Sequence, residues 1–278
     1  MAIVTISRGS MSGGMELAEC MASHLGYPCL ARELLVKAAD KLGVPEEMLR
    51  GKIERSARFW ERLTSDRRLY LVALQSALAD ACVDGNLVYH GHAGHLLLNN
   101  LPTVLRVRLI APMSMRIREV MNRKGLDYKA AKDYINVMDE ERVRWTKFVY
   151  GLDWRDPKNY DLVVNLGNFQ IQTACAAICA VVKLPEYETT DEVKKKFRDF
   201  ALACRVKVAL ALNVQSRNIS FSVTADGGKV EVFGEMATSG VLVRKVGPSE
   251  EDIRLIARTV EGVSEANVNL RRFPEFPD

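Results

Sequence analysis

Ala2-Ile3-Val4-Thr5-Ile6-Ser7-Arg8-Gly9-Ser10-Met11-Ser12-Gly13-Gly14-Met15-Glu16 begins as a run of strand-forming residues and passes into a glycine-rich turn. Leu17, Met21 and Leu25 then recur at helical spacing, so the stretch reads as strand, loop, helix. Gly9 and Gly14 occupy the two glycine positions of the pattern G-x-x-x-x-G-K-[ST]. In that pattern the backbone curls so that successive N–H groups point inward and cradle a phosphate at the N-terminus of the following helix. Gly9, Ser10, Met11, Ser12, Gly13, Gly14, Met15 and Glu16 are therefore the expected phosphate-binding loop, with Met15 in the place of the lysine and Glu16 in the place of the hydroxyl residue.

Outward from this loop, short apolar runs predict parallel strands at Ala2–Ile6, Tyr27–Leu30, Leu87–His90, Val104–Ile110 and Leu162–Asn165. Helical spacing predicts helices over Met15–Leu25, Arg32–Leu42, Arg67–Ala81, Ser114–Arg123, Tyr128–Met138 and Ile171–Val182. Strands alternating with helices are the α/β pattern. After Leu184-Pro185 the composition changes, and residues 186–198 read as a polar connection and the start of a helix running from Glu192 to about Leu212. A second, α+β domain follows over 199–278. Ile219, Phe221 and Val223 alternate on one face, Asp226-Gly227-Gly228 forms a hairpin turn, and Val230 and Val232 belong to the returning strand. A helix at Glu250–Val260 and a strand at Ala266–Leu270 complete it. The first domain is expected to occupy 1–185.

Composition narrows the function classes. The 278 residues are 48% apolar and 27% charged, as in ordinary globular proteins. Residues 1–185 carry five more basic than acidic side chains, and 186–278 one more acidic than basic, so the mild excess favouring an anionic ligand lies in the first domain. No dense Lys/Arg stripe with interleaved aromatics points to nucleic acid. No run approaches the roughly 18 apolar residues of a membrane span, and the N-terminus opens on a strand in place of a charged-then-apolar signal. No membrane span and a cytoplasmic location are expected. Cys20, Cys29, Cys82, Cys175, Cys179 and Cys204 include no C-x-x-C pair and are expected to be free thiols.

Further fragments carry a family resemblance: Ile6-Ser7-Arg8-Gly9-Ser10, Leu25-Gly26-Tyr27-Pro28-Cys29-Leu30-Ala31-Arg32-Glu33-Leu34-Leu35, Val88-Tyr89-His90-Gly91-His92-Ala93-Gly94-His95, Asp139-Glu140-Glu141-Arg142, and Tyr150-Gly151-Leu152-Asp153-Trp154-Arg155-Asp156-Pro157 followed by Tyr160-Asp161-Leu162-Val163. Taken in order, they resemble the cytidylate kinase-like family of P-loop nucleoside monophosphate kinases over residues 1–183. The resemblance implies a five-stranded parallel sheet flanked by helices, a helical monophosphate-binding insertion at about 32–84, and an arginine-bearing lid at about 116–157. It also implies ATP with Mg²⁺ as cofactor and transfer of the γ-phosphoryl group to a pyrimidine monophosphate such as CMP. The second domain resembles a BON domain over about 199–272, which implies binding of a protein partner or self-association.

Met15 can neither reach the phosphates as a cation nor offset charge in the transition state. Losing one such donor typically costs about 3 kcal/mol, roughly 100- to 1,000-fold in rate. The resemblance supplies other cations. Arg116 and Arg123 lie seven residues apart on one helix face, and Arg142 and Arg144 follow in the next basic segment. These four are the expected catalytic arginines, clamping phosphates as bidentate donors, although their spacing to Glu119, Asp139 and Glu140 is also that of ion pairs on any solvated helix. Arg8 is nearest to the loop, with its direction open. Arg32 and His92 are the expected acceptor-binding residues, His92 standing where the family places an arginine. His90, His92 and His95 lack a fourth ligand, so no metal centre is expected. Trp60, Trp145 and Trp154 are expected to be packing anchors. Two functions follow: a working monophosphate kinase in which lid arginines replace the lysine, or a catalytically inactive nucleotide sensor or scaffold acting through residues 199–272.

Overall fold

A computed structural model describes residues 2–31, 33–43, 64–91, 93–98, 101–238 and 247–274. In chain order the elements are β1 (Ile3–Arg8), α1 (Gly14–Leu25), β2 (Cys29–Leu30), α2 (Glu33–Leu42), α3 (Thr64–Ala81), β3 (Leu87–His90), α4 (Gly94–Leu97), β4 (Val104–Ile110), α5 (Met113–Lys124), α6 (Tyr128–Tyr150), β5 (Leu162–Asn165), α7 (Ile171–Val182), α8 (Asp191–Leu212), β6 (Ser220–Asp226), β7 (Lys229–Thr238), α9 (Glu250–Arg258) and β8 (Glu265–Pro274).

The chain forms two compact units. The first holds the described residues from 2 to 33 and from 84 to 190, and the second those from 34 to 83 and from 191 to 274. In the first, five parallel strands lie in the order β2-β3-β1-β4-β5. Strand β1 is central and apolar on both faces, with Ile3, Val4 and Ile6 buried, as a parallel strand covered by helices must be. Leu17, Ala18 and Met21 of α1 and Ala174, Cys175 and Ile178 of α7 cover one face together with Val4, Val88 and Val107. The chain passes from β1 to α1 where the strand order switches sides, the place at which open α/β sheets bind ligands.

Helix α6 is longer than the expected Tyr128–Met138. No Gly or Pro interrupts 128–150, Asp127 caps the start by accepting from the Ala130 N–H, and the helix ends only at Gly151, whose N–H returns to the Lys147 carbonyl.

The second unit contains β6-β7-β8, with β6 and β7 antiparallel and β7 and β8 parallel. Asp226 pairs with Lys229 across Gly227 and Gly228, both at positive φ (55° and 91°), the geometry a two-residue hairpin requires. Leu202, Val206 and Leu210 of α8 pack on Val223, Val230 and Val232. The compact units are divided differently from the expected domains. The domain expected at 1–185 does not keep its helical insertion, because α3 and all of α2 after Glu33 belong to the second unit. The reason is a second apolar stripe on α8: Ala201 and Cys204 pack on Ala79, while Asp80 pairs with Lys41 at 2.5 Å and with Arg205 at 3.2 Å. The expected boundary between 198 and 199 lies within α8, which begins at Asp191, beside the expected helix start at Glu192.

The expectation of six free thiols is corrected as well. Cys20 and Cys175 are disulfide-bonded, their Cα atoms 6.2 Å apart, because α1 and α7 lie side by side on the sheet. Cys29, Cys82, Cys179 and Cys204 are not in a disulfide, and burial pushes the Cys204 thiol up to about 12.

Candidate functional site

The loop between β1 and α1 borders a cavity of about 470 Å³. Met11 and Gly13 are left-handed, with φ of 56° and 76°, so the backbone curls between Gly9 and Gly14, and Gly13 begins α1 without a side-chain cap. Residues Gly9 to Glu16 all line the cavity. The first-turn amides of α1 and the dipole of its N-terminus are thus free of a capping side chain at the place where a phosphate would sit.

Arg8, at the end of β1, turns back over the loop. An added Cβ on Gly14 would meet Arg8 Cδ at 2.6 Å, Cγ at 2.8 Å and Nε at 2.9 Å. Its side chain therefore crosses the start of α1, one residue from the position that the loop lysine would have filled. Burial lowers the Arg8 pKa, while Tyr89 and Glu16 favour the charge. The Arg142 guanidinium donates to the Arg8 carbonyl at 3.0 Å, and both arginines line the cavity. Burial and the neighbouring Arg8 charge lower the Arg142 pKa to about 10, which leaves the Arg142 guanidinium charged at neutral pH.

Glu16 lies 2.5 Å from Arg123, which also bonds Glu119 one turn earlier, and all three line the cavity. Arg123 thus offsets the negative charge that Glu16 brings to the loop. Arg116 takes a different position from the expected clamp. It is buried beneath the loop, donates to the Ser10 carbonyl at 2.7 Å and pairs with Asp139 at 2.6 Å. Asp139 in turn accepts from the Ser10 N–H at 3.0 Å. The pair ties α5 and α6 to the loop backbone. Arg144 is exposed and is absent from the cavity lining. Arg32, His92 and Trp60 lie outside the described residues.

His90 and His95 part company. His90, at the end of β3, lines the cavity, whereas His95 is buried on α4 with its ring 4.6 Å from that of Tyr160. Burial, together with Arg106 and Arg108, pushes the His95 pKa down to about 4, so this ring is neutral. Trp154 is a packing anchor: Arg108 lies 4.6 Å over its ring and donates to its carbonyl at 2.6 Å. Trp145 meets Tyr150 edge-on.

The sequence profile of the cytidylate kinase-like family matches residues 3–168. The chain belongs to the cytidylate kinase-like family. It is 29% identical over 168 residues to a cytidylate kinase of Ignicoccus hospitalis, covering 59% of this chain and 90% of that one. A cytidylate kinase of Methanopyrus kandleri is 28% identical over 167 residues, 59% of this chain and 83% of the relative. Among solved structures, an uncharacterized protein from Eubacterium ventriosum covers 66% of this chain and 98% of its own, with a TM-score of 0.50 at 20% identity, a likeness of fold. The family match covers β1, the loop, α5 and α6, and ends before α7.

Of the expected site residues, Gly9 to Glu16, Arg123 and Arg142 line the cavity. Sequence reading missed Asp139 as the loop's tether and left the direction of Arg8 open. The available signals were the Ser7-Arg8 pair abutting the glycines and the Asp139–Arg142 spacing.

Proposed function

We propose that the chain is a nucleoside monophosphate kinase that transfers the γ-phosphoryl group of ATP to a pyrimidine monophosphate such as CMP, with Arg8 standing in for the loop lysine. The observation that carries this reading is the Arg8 side chain crossing Gly14 inside the cavity. A guanidinium there, with Arg142 and Arg123 on the same cavity, provides the fixed positive charge on which phosphoryl transfer depends, since the protein's part is positioning and charge neutralisation. The carboxylates of Glu16 and Glu119 are the hard oxygen donors on the cavity that would hold Mg²⁺, which when bound neutralises the transferring phosphates. Binding would draw Arg123 from these carboxylates to the phosphates.

A second reading is a nucleotide sensor without turnover, acting through the BON-like domain at 199–272 as a partner-binding or self-associating module. Met15, 42% exposed on the cavity rim, favours it, because no cation emerges from the loop itself. ATP binding and ATP-dependent phosphorylation of CMP, dCMP, UMP and AMP, measured for wild type, Arg8→Met and Met15→Lys, separate the two. Wild-type turnover lost in Arg8→Met supports the kinase. Binding without turnover, with activity appearing in Met15→Lys, supports the sensor, and absence of nucleotide binding in both wild type and Met15→Lys defeats the two readings together.

A further inference from the structure

Away from the cavity, the helix that begins at the loop carries a second cluster of chemistry. Cys20 and His24 are four residues apart on α1 and share one face, and Cys175 of α7 lies against them. The two sulfurs and a ring nitrogen of His24 all lie within 4.8 Å of one another, and no other group of three metal-ligating side chains meets this condition among the described residues. Cys175 is buried, Cys20 partly so, and His24 is exposed, so the cluster opens to solvent on the histidine side.

A disulfide needs two sulfurs and makes no use of a histidine. Zinc does: with Zn–S of about 2.3 Å and Zn–N of about 2.0 Å, two thiolates and one imidazole form three corners of a tetrahedron and leave the fourth for water or an incoming ligand. The edges of such a tetrahedron, roughly 3.5–3.8 Å, fall inside the 4.8 Å within which the three ligand atoms already lie. Two thiolates and an imidazole select borderline-soft cations over Mg²⁺ or Ca²⁺.

We infer that Cys20, His24 and Cys175 form a binding site for a borderline-soft divalent cation, Zn²⁺ above all, that is open when the two sulfurs are thiolates and closed when they are joined. Closing requires a two-electron oxidant of the peroxide class. Each metal-bound thiolate gives up one electron and the S–S bond forms. The O–O bond breaks, two protons from solvent complete two waters, and the cation departs. A small dithiol reopens the site by exchange, its own sulfurs becoming the disulfide. The site is independent of the nucleotide reading, since none of its three ligands lines the cavity.

The test uses the full chain, reduced with a phosphine, stripped with a chelator and titrated without oxygen with Zn²⁺ or with Cd²⁺ as an ultraviolet reporter of thiolate ligation. One equivalent should bind with a thiolate charge-transfer band and protect Cys20 and Cys175 from alkylation, read by peptide mass spectrometry. His24→Ala changes an exposed residue, so it should fold and still form the disulfide, yet bind the metal about tenfold more weakly or worse. Cys179→Ser, one turn from Cys175, should bind as wild type does. Peroxide should release the metal as the disulfide forms. The proposal is overturned if Cys20→Ser binds as tightly as the reduced wild type, if His24→Ala is unimpaired, or if the oxidised protein retains the metal.

Discussion

Arg8 lies across Gly14, so closely that a single methyl group on the glycine would come within 2.6 Å of Arg8 Cδ. Gly14→Ala therefore has to displace the arginine, because a helical backbone cannot retreat as a side chain can. The expected result is loss of nucleotide affinity by about tenfold or more with the fold retained, since Ala is the better helix former. Arg8→Met should lose as much and Arg8→Lys less. Calorimetric titration with ATP checks this, and a Gly14→Ala variant that binds ATP like wild type removes Arg8 from the site.

Arg116 and Asp139 predict a stability effect. Removing one partner of a buried ion pair leaves the other uncompensated, at about 3–5 kcal/mol. Asp139 is about one-fifth exposed, 21% at the side chain, so water relieves part of that and about 2–3 kcal/mol is expected for Arg116→Met or Asp139→Asn. Urea unfolding should show a lower midpoint, and a change below about 0.5 kcal/mol would mean that the loop is held by other contacts.

Glu16 and Arg123 should behave in the opposite way. Their side chains are 41% and 43% exposed, and an exposed pair contributes less than about 1 kcal/mol. Arg123→Met should leave the melting temperature nearly unchanged and weaken ATP binding. Glu16→Gln should strengthen binding of free ATP and weaken the dependence on Mg²⁺. Equal affinities for ATP with and without Mg²⁺ in wild type would remove Glu16 as a cation ligand.

His95 links stability to pH. Its folded pKa of about 4 lies below the ordinary 6.5, so the unfolded chain binds the proton more readily. The contribution is fully present above about pH 6.5 and is lost as pH falls toward 4, amounting to about 3 kcal/mol across the window. His95→Gln should flatten the stability profile between these pH values. An unaltered slope would assign the acid sensitivity to other groups.

Several parts of this protein were legible from local pattern. Leu87–His90, Val104–Ile110 and Leu162–Asn165 are found with the expected bounds, as is α7, because short apolar, β-branched runs and helical spacing set the element type locally, even where a strand such as β5 leaves Val163 exposed. The end of α6 was not legible at Met138, where polarity rises although nothing in the backbone stops the helix before Gly151. Nor could the apolar faces of α2 and α3 say which unit they cover, since an apolar stripe records that it is buried and not against what.

The sequence by itself determined the strand, loop and helix at the N-terminus, the parallel α/β pattern and the hairpin at Gly227-Gly228, all set by residues close together in the chain. Only the tertiary structure decided that Arg8 folds back over Gly14, that Asp139 tethers Ser10 from 129 residues away, and that Cys20 meets Cys175 across 155. These depend on how helices pack on the sheet. Side-chain direction and long-range proximity arise from that packing, and no local spacing encodes them.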